Sequence, residues 1–177
     1  MEIAQWLAET TAGEIMVKEV VTLGPDDSLA LAAEVILKEQ ISGAPVVDAN
    51  NTCVGVLAVS DLIRAEGKVL TEQEQLANSS FFNSSLTLPS SVYAERLAQV
   101  RDKLLPVSEQ PVARFMTSNL VRVNSDTPLA TVVQNIVDAH VHRVLVVDEN
   151  KKLQGIISTM DVLAALQRAN QDVGKLS

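Results

Sequence analysis

Basic charge, cysteine, aromatic rings and long apolar runs are all scarce in this chain, and each scarcity closes off a class of function. Lysine and arginine total 14 against 22 aspartates and glutamates, a formal net charge of −8. Sequence-independent binding of nucleic acid needs a basic surface to neutralise phosphates, so nucleic acid is excluded as a general partner. An anionic ligand has to be held by local positive groups instead. Cys53 is the single cysteine. It rules out an intrachain disulfide, fits a reducing compartment, and within an apolar run reads as a core residue. No stretch approaches the roughly eighteen apolar residues of a membrane helix, and no basic segment leads into an apolar one at the N-terminus. The expected location is therefore cytoplasmic, without a membrane partner. A glycine-rich phosphate loop and a catalytic constellation are both missing, so the chain does not read as an enzyme.

What the sequence does have is aliphatic bulk. Hydrophobic residues make up 47% of the 177 residues while aromatics supply only 3%. A core of Val, Leu, Ile and Ala suits a packed α/β fold, either one compact domain or two small halves. The chain also repeats itself at an offset of one hundred. Met16 matches Met116, Val21 matches Val121, Leu29 matches Leu129, Asp48 matches Asp148, Gly55 matches Gly155 and Asp61 matches Asp161. Two copies of one supersecondary unit follow from this.

In chain order, Ile3, Trp6 and Leu7 have the spacing of a short amphipathic helix. Trp6 suits a core anchor or a dimer contact better than an adenine-stacking ring. Met16 to Leu23 reads as a first strand or an extended entry, closed by Gly24-Pro25. Asp26, Asp27 and Ser28 are capping types ahead of a helix from Leu29 to Gln40 whose apolar face holds Leu29, Ala32, Ala33, Ile36 and Leu37. Two strands around a polar turn follow, then a helix from Asp61. Residues 66–111 form a polar insertion with a helix expected near 92–105 and a Phe81-Phe82 pair that docks or marks a contact. The second copy opens with strand Leu120 to Val123 and helix Leu129 to Ala139, where Pro128 suits the first helical position. Val144 to Val147, a turn at 148–152, and Gly155 to Ser158 make the second hairpin. Ser158-Thr-Met-Asp161 then starts a helix reaching Ala169 with a capping pair.

Strand, helix, strand, strand, helix in duplicate, with Gly-h-h-x-x-x-Asp closing each third strand, resembles a tandem pair of CBS domains, the Bateman module. The resemblance covers residues 14–65 and 112–166. It divides the chain into an N-terminal helix (1–13), repeat 1 (14–65), the insertion (66–111), repeat 2 (112–169) and a tail (170–177). It implies an α/β fold of two pseudo-symmetric β-α-β-β-α repeats packed through their sheets, and clefts that bind adenosine nucleotides. A homodimer is also implied.

Carried over by position, the family's ribose-holding hydroxyl and acid are Ser158 and Asp161. A carboxylate can accept from both ribose hydroxyls, and a helix N-terminus favours anions. His142-Arg143 before an apolar strand is similar to the last CBS repeat of the gamma subunit of AMP-activated protein kinase, where the pair faces phosphates. Arginine's planar fork suits phosphate oxygens. Ile156 would add apolar contact, and Asp27, Ala32 and Val54 would face the adenine from the other repeat; Ala32 and Val54 fit ordinary packing as well. The first copy has Ala58 at the hydroxyl position and Ser42-Gly43 at the basic position, so its cleft, with Asp61 and Thr127, should be weaker. The implied function is a stand-alone sensor that binds AMP, or ADP or ATP, and signals conformationally to a protein target; no cofactor is required. The alternatives are a dimerisation module that binds no nucleotide, or one that takes S-adenosylmethionine or a metal. His140 and His142, two apart, make a two-ligand half-site if both lie in a strand, yet no cysteine or acidic cluster supports it.

Overall fold

The computed structural model describes residues 3–65 and 108–174. The helix expected near 92–105 and the Phe81-Phe82 pair lie outside them. The chain divides into two compact units: unit 1 is residues 1–20 with 121–177, and unit 2 is residues 21–120.

In unit 2, α1 is the helix Leu29–Lys38, β1 is Gly43–Val47, β2 is Cys53–Ala58 and α2 is Val59–Ala65. Ser28 starts α1 by accepting the Leu31 amide at its hydroxyl. The helix buries Leu29, Ala32, Ala33 and Ile36 against Val46, Leu57, Val59 and Leu62, the apolar stripe that its spacing demands. β1 and β2 pair antiparallel, with Gly43 opposite Ala58. The turn between them is organised by Asp48, whose Oδ1 accepts the amides of Asn50 and Thr52. Cys53 is buried, as its place in an apolar run suggests.

Unit 1 repeats the plan. Its helix α3 is Leu129–Asp138, strands β4 (Arg143–Val147) and β5 (Leu153–Ser158) pair with Arg143 opposite Ser158, and α4 is Thr159–Gly174. A two-residue strand, β3 (Arg122–Val123), lies parallel to β4. Asp148 accepts from Asn150 and Lys152 as Asp48 does in the other copy. Even the left-handed residues coincide, Gln40 with His140 and Asn51 with Lys151. The N-terminal helices α5 (Ile3–Glu9) and α6 (Ala12–Ile15) also belong to this unit, and Trp6 and Leu7 pack half-buried on its core.

The units do not follow the repeats end to end. Val17 exchanges two main-chain hydrogen bonds with Ile156 (2.9 and 3.0 Å), so the opening of the first copy edges the sheet of the second. Thr117 does the same with Val56 at 2.9 Å in both directions. Behind each bridge a methionine fills the space over a glycine, Met16 at Gly155 and Met116 at Gly55. A Cβ on Gly155 would come within 2.9 Å of Met16 Cγ and 2.8 Å of the Val17 carbonyl oxygen, so the close approach requires glycine there. Residues 108–112 complete the exchange. The carbonyls of Gln110 and Ser108 accept from Leu29 and Ala30 (3.0 Å each), and Val112 donates to Asp27 at 2.8 Å. The first turn of α1, whose amides have no partners within the helix, is satisfied from this distant segment.

Three expectations change. Of the two readings of Met16 to Leu23, the continuous strand does not form; the segment makes single bridges at Val17 and Leu23 only. Val17 bridges to Ile156 in unit 1 and Leu23 to Val46 in unit 2. Pro128 is the cap residue of α3, with extended ψ of 142°, and Leu129 takes the first helical position. His140 lies in the left-handed turn after α3 at φ 51°, outside β4, so it and His142 do not share a strand face. No cluster of three metal-binding side chains occurs among the described residues. No described helix is long and apolar enough to cross a membrane.

Candidate functional site

Ser158 ends β5 and Asp161 lies in the first turn of α4, so a single strand-to-helix junction fixes both. Asp161 Oδ2 accepts the Ser158 amide at 2.7 Å and the Ser158 hydroxyl at 2.6 Å, while the Asp161 amide donates back to Ser158 Oγ at 3.2 Å. This reciprocal arrangement is a capping box with aspartate in place of the usual glutamate. It holds the carboxylate rigidly and leaves Oδ1 without a hydrogen bond among the described residues. Both side chains are half-buried. The surrounding helix amides add positive potential.

The basic pair is tied to the same junction. Arg143 stands directly opposite Ser158 in the antiparallel ladder and is exposed. The His142 carbonyl accepts the Thr159 amide at 3.1 Å. His142 Nε2 is enclosed without a hydrogen-bond partner among the described residues. Ile156, half-buried in β5, is held at its main chain by Val17. Unit 1 thus places His142, Arg143, Ile156, Ser158 and Asp161 on the β4–β5 ladder and the helix start that follows it: a cation, a fixed carboxylate and an apolar residue.

Unit 2 has the same backbone junction with different chemistry. Ser42 accepts the Val59 amide at 3.0 Å, as His142 accepts that of Thr159. Asp61 Oδ2 accepts the Ala58 amide at 2.8 Å, but no hydroxyl stands at position 58. Oδ1 of Asp61 is taken by the Arg64 guanidinium, one helical turn on. Asp61 is only 4% exposed, and this burial pushes its carboxyl above the ordinary range, against the opposing pull of the Ala58 amide and Arg64. Position 43 is sterically closed. A Cβ on Gly43 would stand 2.8 Å from the Leu57 carbonyl oxygen and 2.9 Å from Ala58 Cα. Arg64 escapes the comparison of aligned motifs because its counterpart is Ala164; the legible signal was the acid–base spacing Asp61-x-x-Arg64.

The remaining candidates have local duties. Asp27 Oδ2 accepts the Gly24 amide at 2.6 Å, and Thr127 Oγ1 accepts the Asn124 amide at 3.0 Å. Both are turn-forming side chains at equivalent positions. Ala32 is fully enclosed in the core of unit 2 and presents no surface for an adenine; its small size serves packing. Val54 is half-buried and packs on the same core.

Comparison with known proteins accords with this architecture. An uncharacterized protein of Methanocaldococcus jannaschii is 25% identical over 87% of this chain and 93% of its own length. The chain spans only 38% of a second uncharacterized protein of that archaeon and 25% of its inosine-5'-monophosphate dehydrogenase. Among solved structures, CBSX2, a CBS-pair protein of Arabidopsis thaliana crystallised with AMP, superposes with a TM-score of 0.64 at 23% identity, covering 90% of this chain and 98% of CBSX2. The CBS domain pair of protein MJ0100, in complex with 5'-methylthioadenosine and S-adenosyl-L-methionine, gives 0.59 at 19% identity, over 90% of this chain and 98% of that one. The family model described as CBS domain matches twice, at residues 12–68 and 112–168. Matched over more than half its length by two tandem copies, the chain belongs to the CBS domain family.

Proposed function

We propose that the chain is a regulatory module that binds an adenosine-type ligand at the β5–α4 junction of unit 1, with AMP the foremost candidate. The observation that carries this reading is the register of Arg143 opposite Ser158, beside the carboxylate of Asp161 held by the capping box. Asp161 Oδ1 accepts from the ribose diol, Arg143 pairs with the phosphate, and Ile156 covers an apolar face. CBSX2 crystallised with AMP and the MJ0100 pair crystallised with 5'-methylthioadenosine support the ligand class. Signalling follows from the strand exchange. Ile156 is hydrogen-bonded to Val17, three residues before the chain passes into unit 2 after Val20. A ligand that prefers one setting of β5 biases that passage and what a protein target meets.

Thermal unfolding with AMP, 5'-methylthioadenosine and S-adenosylmethionine tests the proposal. At a hundredfold excess over its dissociation constant a ligand adds about 2.7 kcal/mol of stability. AMP is expected to raise the midpoint in the wild type and not in Asp161→Asn. Arg143→Ala is expected to lose the response to AMP while keeping any response to the phosphate-free nucleoside. Absence of a shift with every adenosine compound would end this reading. A response to S-adenosylmethionine alone would replace the nucleotide with a sulfonium ligand.

A further inference from the structure

We propose that Arg64 is a specificity-determining residue: it occupies the carboxylate of the first copy, so that the chain takes up one adenosine-type ligand, in unit 1, and unit 2 stays closed. This rests on the proposed ligand site. A ligand diol and the Arg64 guanidinium compete for a single oxygen. In unit 1 Ser158 and its amide share Asp161 Oδ2 and leave Oδ1 for a diol. In unit 2 the matching Oδ1 of Asp61 is filled by a guanidinium from the same helix, held at the i, i+3 spacing. A ribose would have to displace a charge-assisted bond with a neutral hydroxyl, and would leave a cation beside a buried acid without its partner. Nothing compensates for that exchange, because position 58 lacks a hydroxyl and position 43 has no room for a side chain. Among the described residues Arg64 is held only at its guanidinium, by Asp61; its side chain is 65% exposed, so it reaches the acid from the solvent side. Ala164, at the matching place in α4, is exposed and has nothing to reach with.

The test is calorimetric titration of the full chain with AMP and with adenosine. One equivalent per chain is expected, abolished by Asp161→Asn and unaffected by Asp61→Asn. The reciprocal graft Ala164→Arg, on an exposed helix position where folding is undisturbed, is expected to weaken both ligands at least tenfold. Two equivalents in the wild type, or a stoichiometry lowered by Asp61→Asn, would overturn the proposal. So would unchanged or tighter binding by Ala164→Arg. If the wild type binds neither ligand, the proposed function fails. Arg64 is then judged by Ala58→Ser/Arg64→Ala: uptake of adenosine supports it as the closing residue, and continued silence overturns it.

Discussion

The two strand-to-helix junctions share a backbone and differ in what reaches their aspartates. At Asp161 the partner is a serine three residues back that gives one oxygen two hydrogen bonds, and the acid keeps its other oxygen open. At Asp61 the partner is an arginine, and the acid is buried and neutralised. Duplication preserves the structural half of the motif, an acid capping a helix after a glycine-bearing strand. The chemical half is free to diverge, because a guanidinium satisfies the buried oxygen as well as a ligand would. A repeated motif therefore reports a repeated fold and does not by itself report a repeated site.

The sharpest way to break this comparison is to separate the copies. A chain ending at residue 107 lacks the segment that satisfies the first turn of α1 and edges β2 at Val56. It is expected to lose cooperative unfolding of residues 21–65 altogether by circular dichroism. A fragment that still melts cooperatively would show the exchange to be dispensable. Next in size are matched cavities: Leu57→Ala and Ile157→Ala each empty a fully buried position and are expected to cost about 2–5 kcal/mol. Denaturant melts should show whether each variant moves one transition or both, and hence how tightly the units are coupled. Ser158→Ala removes the capping hydroxyl and is expected to cost about 1 kcal/mol. Its mirror, Ala58→Ser, is expected to change stability little, since Asp61 is already engaged.

The smallest effect is a pH dependence confined to unit 2. Burial raises the folded-state pKa of Asp61 above its unfolded value. Between those two values the folded chain holds a proton that the unfolded chain has released, so stability falls as pH rises through that window. The contribution is most favourable below the unfolded pKa. Relative to Asp61→Asn, the wild type is expected to lose midpoint temperature as pH climbs from 3 through the carboxylate range of about 4 and then level off. A difference between the two that does not vary with pH would show that Arg64 fully offsets the burial.

Much of this was legible in the residues. The hundred-residue offset, the turns at Asp48 and Asp148, the apolar faces of α1 and α3, and the capping pair at Ser158 and Asp161 are short-range patterns, and spacing alone specifies them. Missed features depend on contacts between distant segments. Asp27 and Thr127 read as site residues because the ligand resemblance placed them there; in the structure their oxygens close turns three residues back. Ala32 sits on the apolar face that periodicity marks, and the structure decides between its two readings by enclosing it fully in the core.

Hydrogen bonding and apolar burial over a few residues explain why the local elements were determined by the chain's own order of side chains. Which copy completes which unit was a tertiary decision. Only folding shows that Met16 and Val17 seat on Gly155 and Ile156 while Met116 and Thr117 seat on Gly55 and Val56. The copies are nearly equivalent along the backbone, so no local preference distinguishes pairing within a copy from pairing across copies. The closure of loops and the packing of whole sheets select between them. The fate of Asp61 was settled the same way, by burial and by the reach of Arg64.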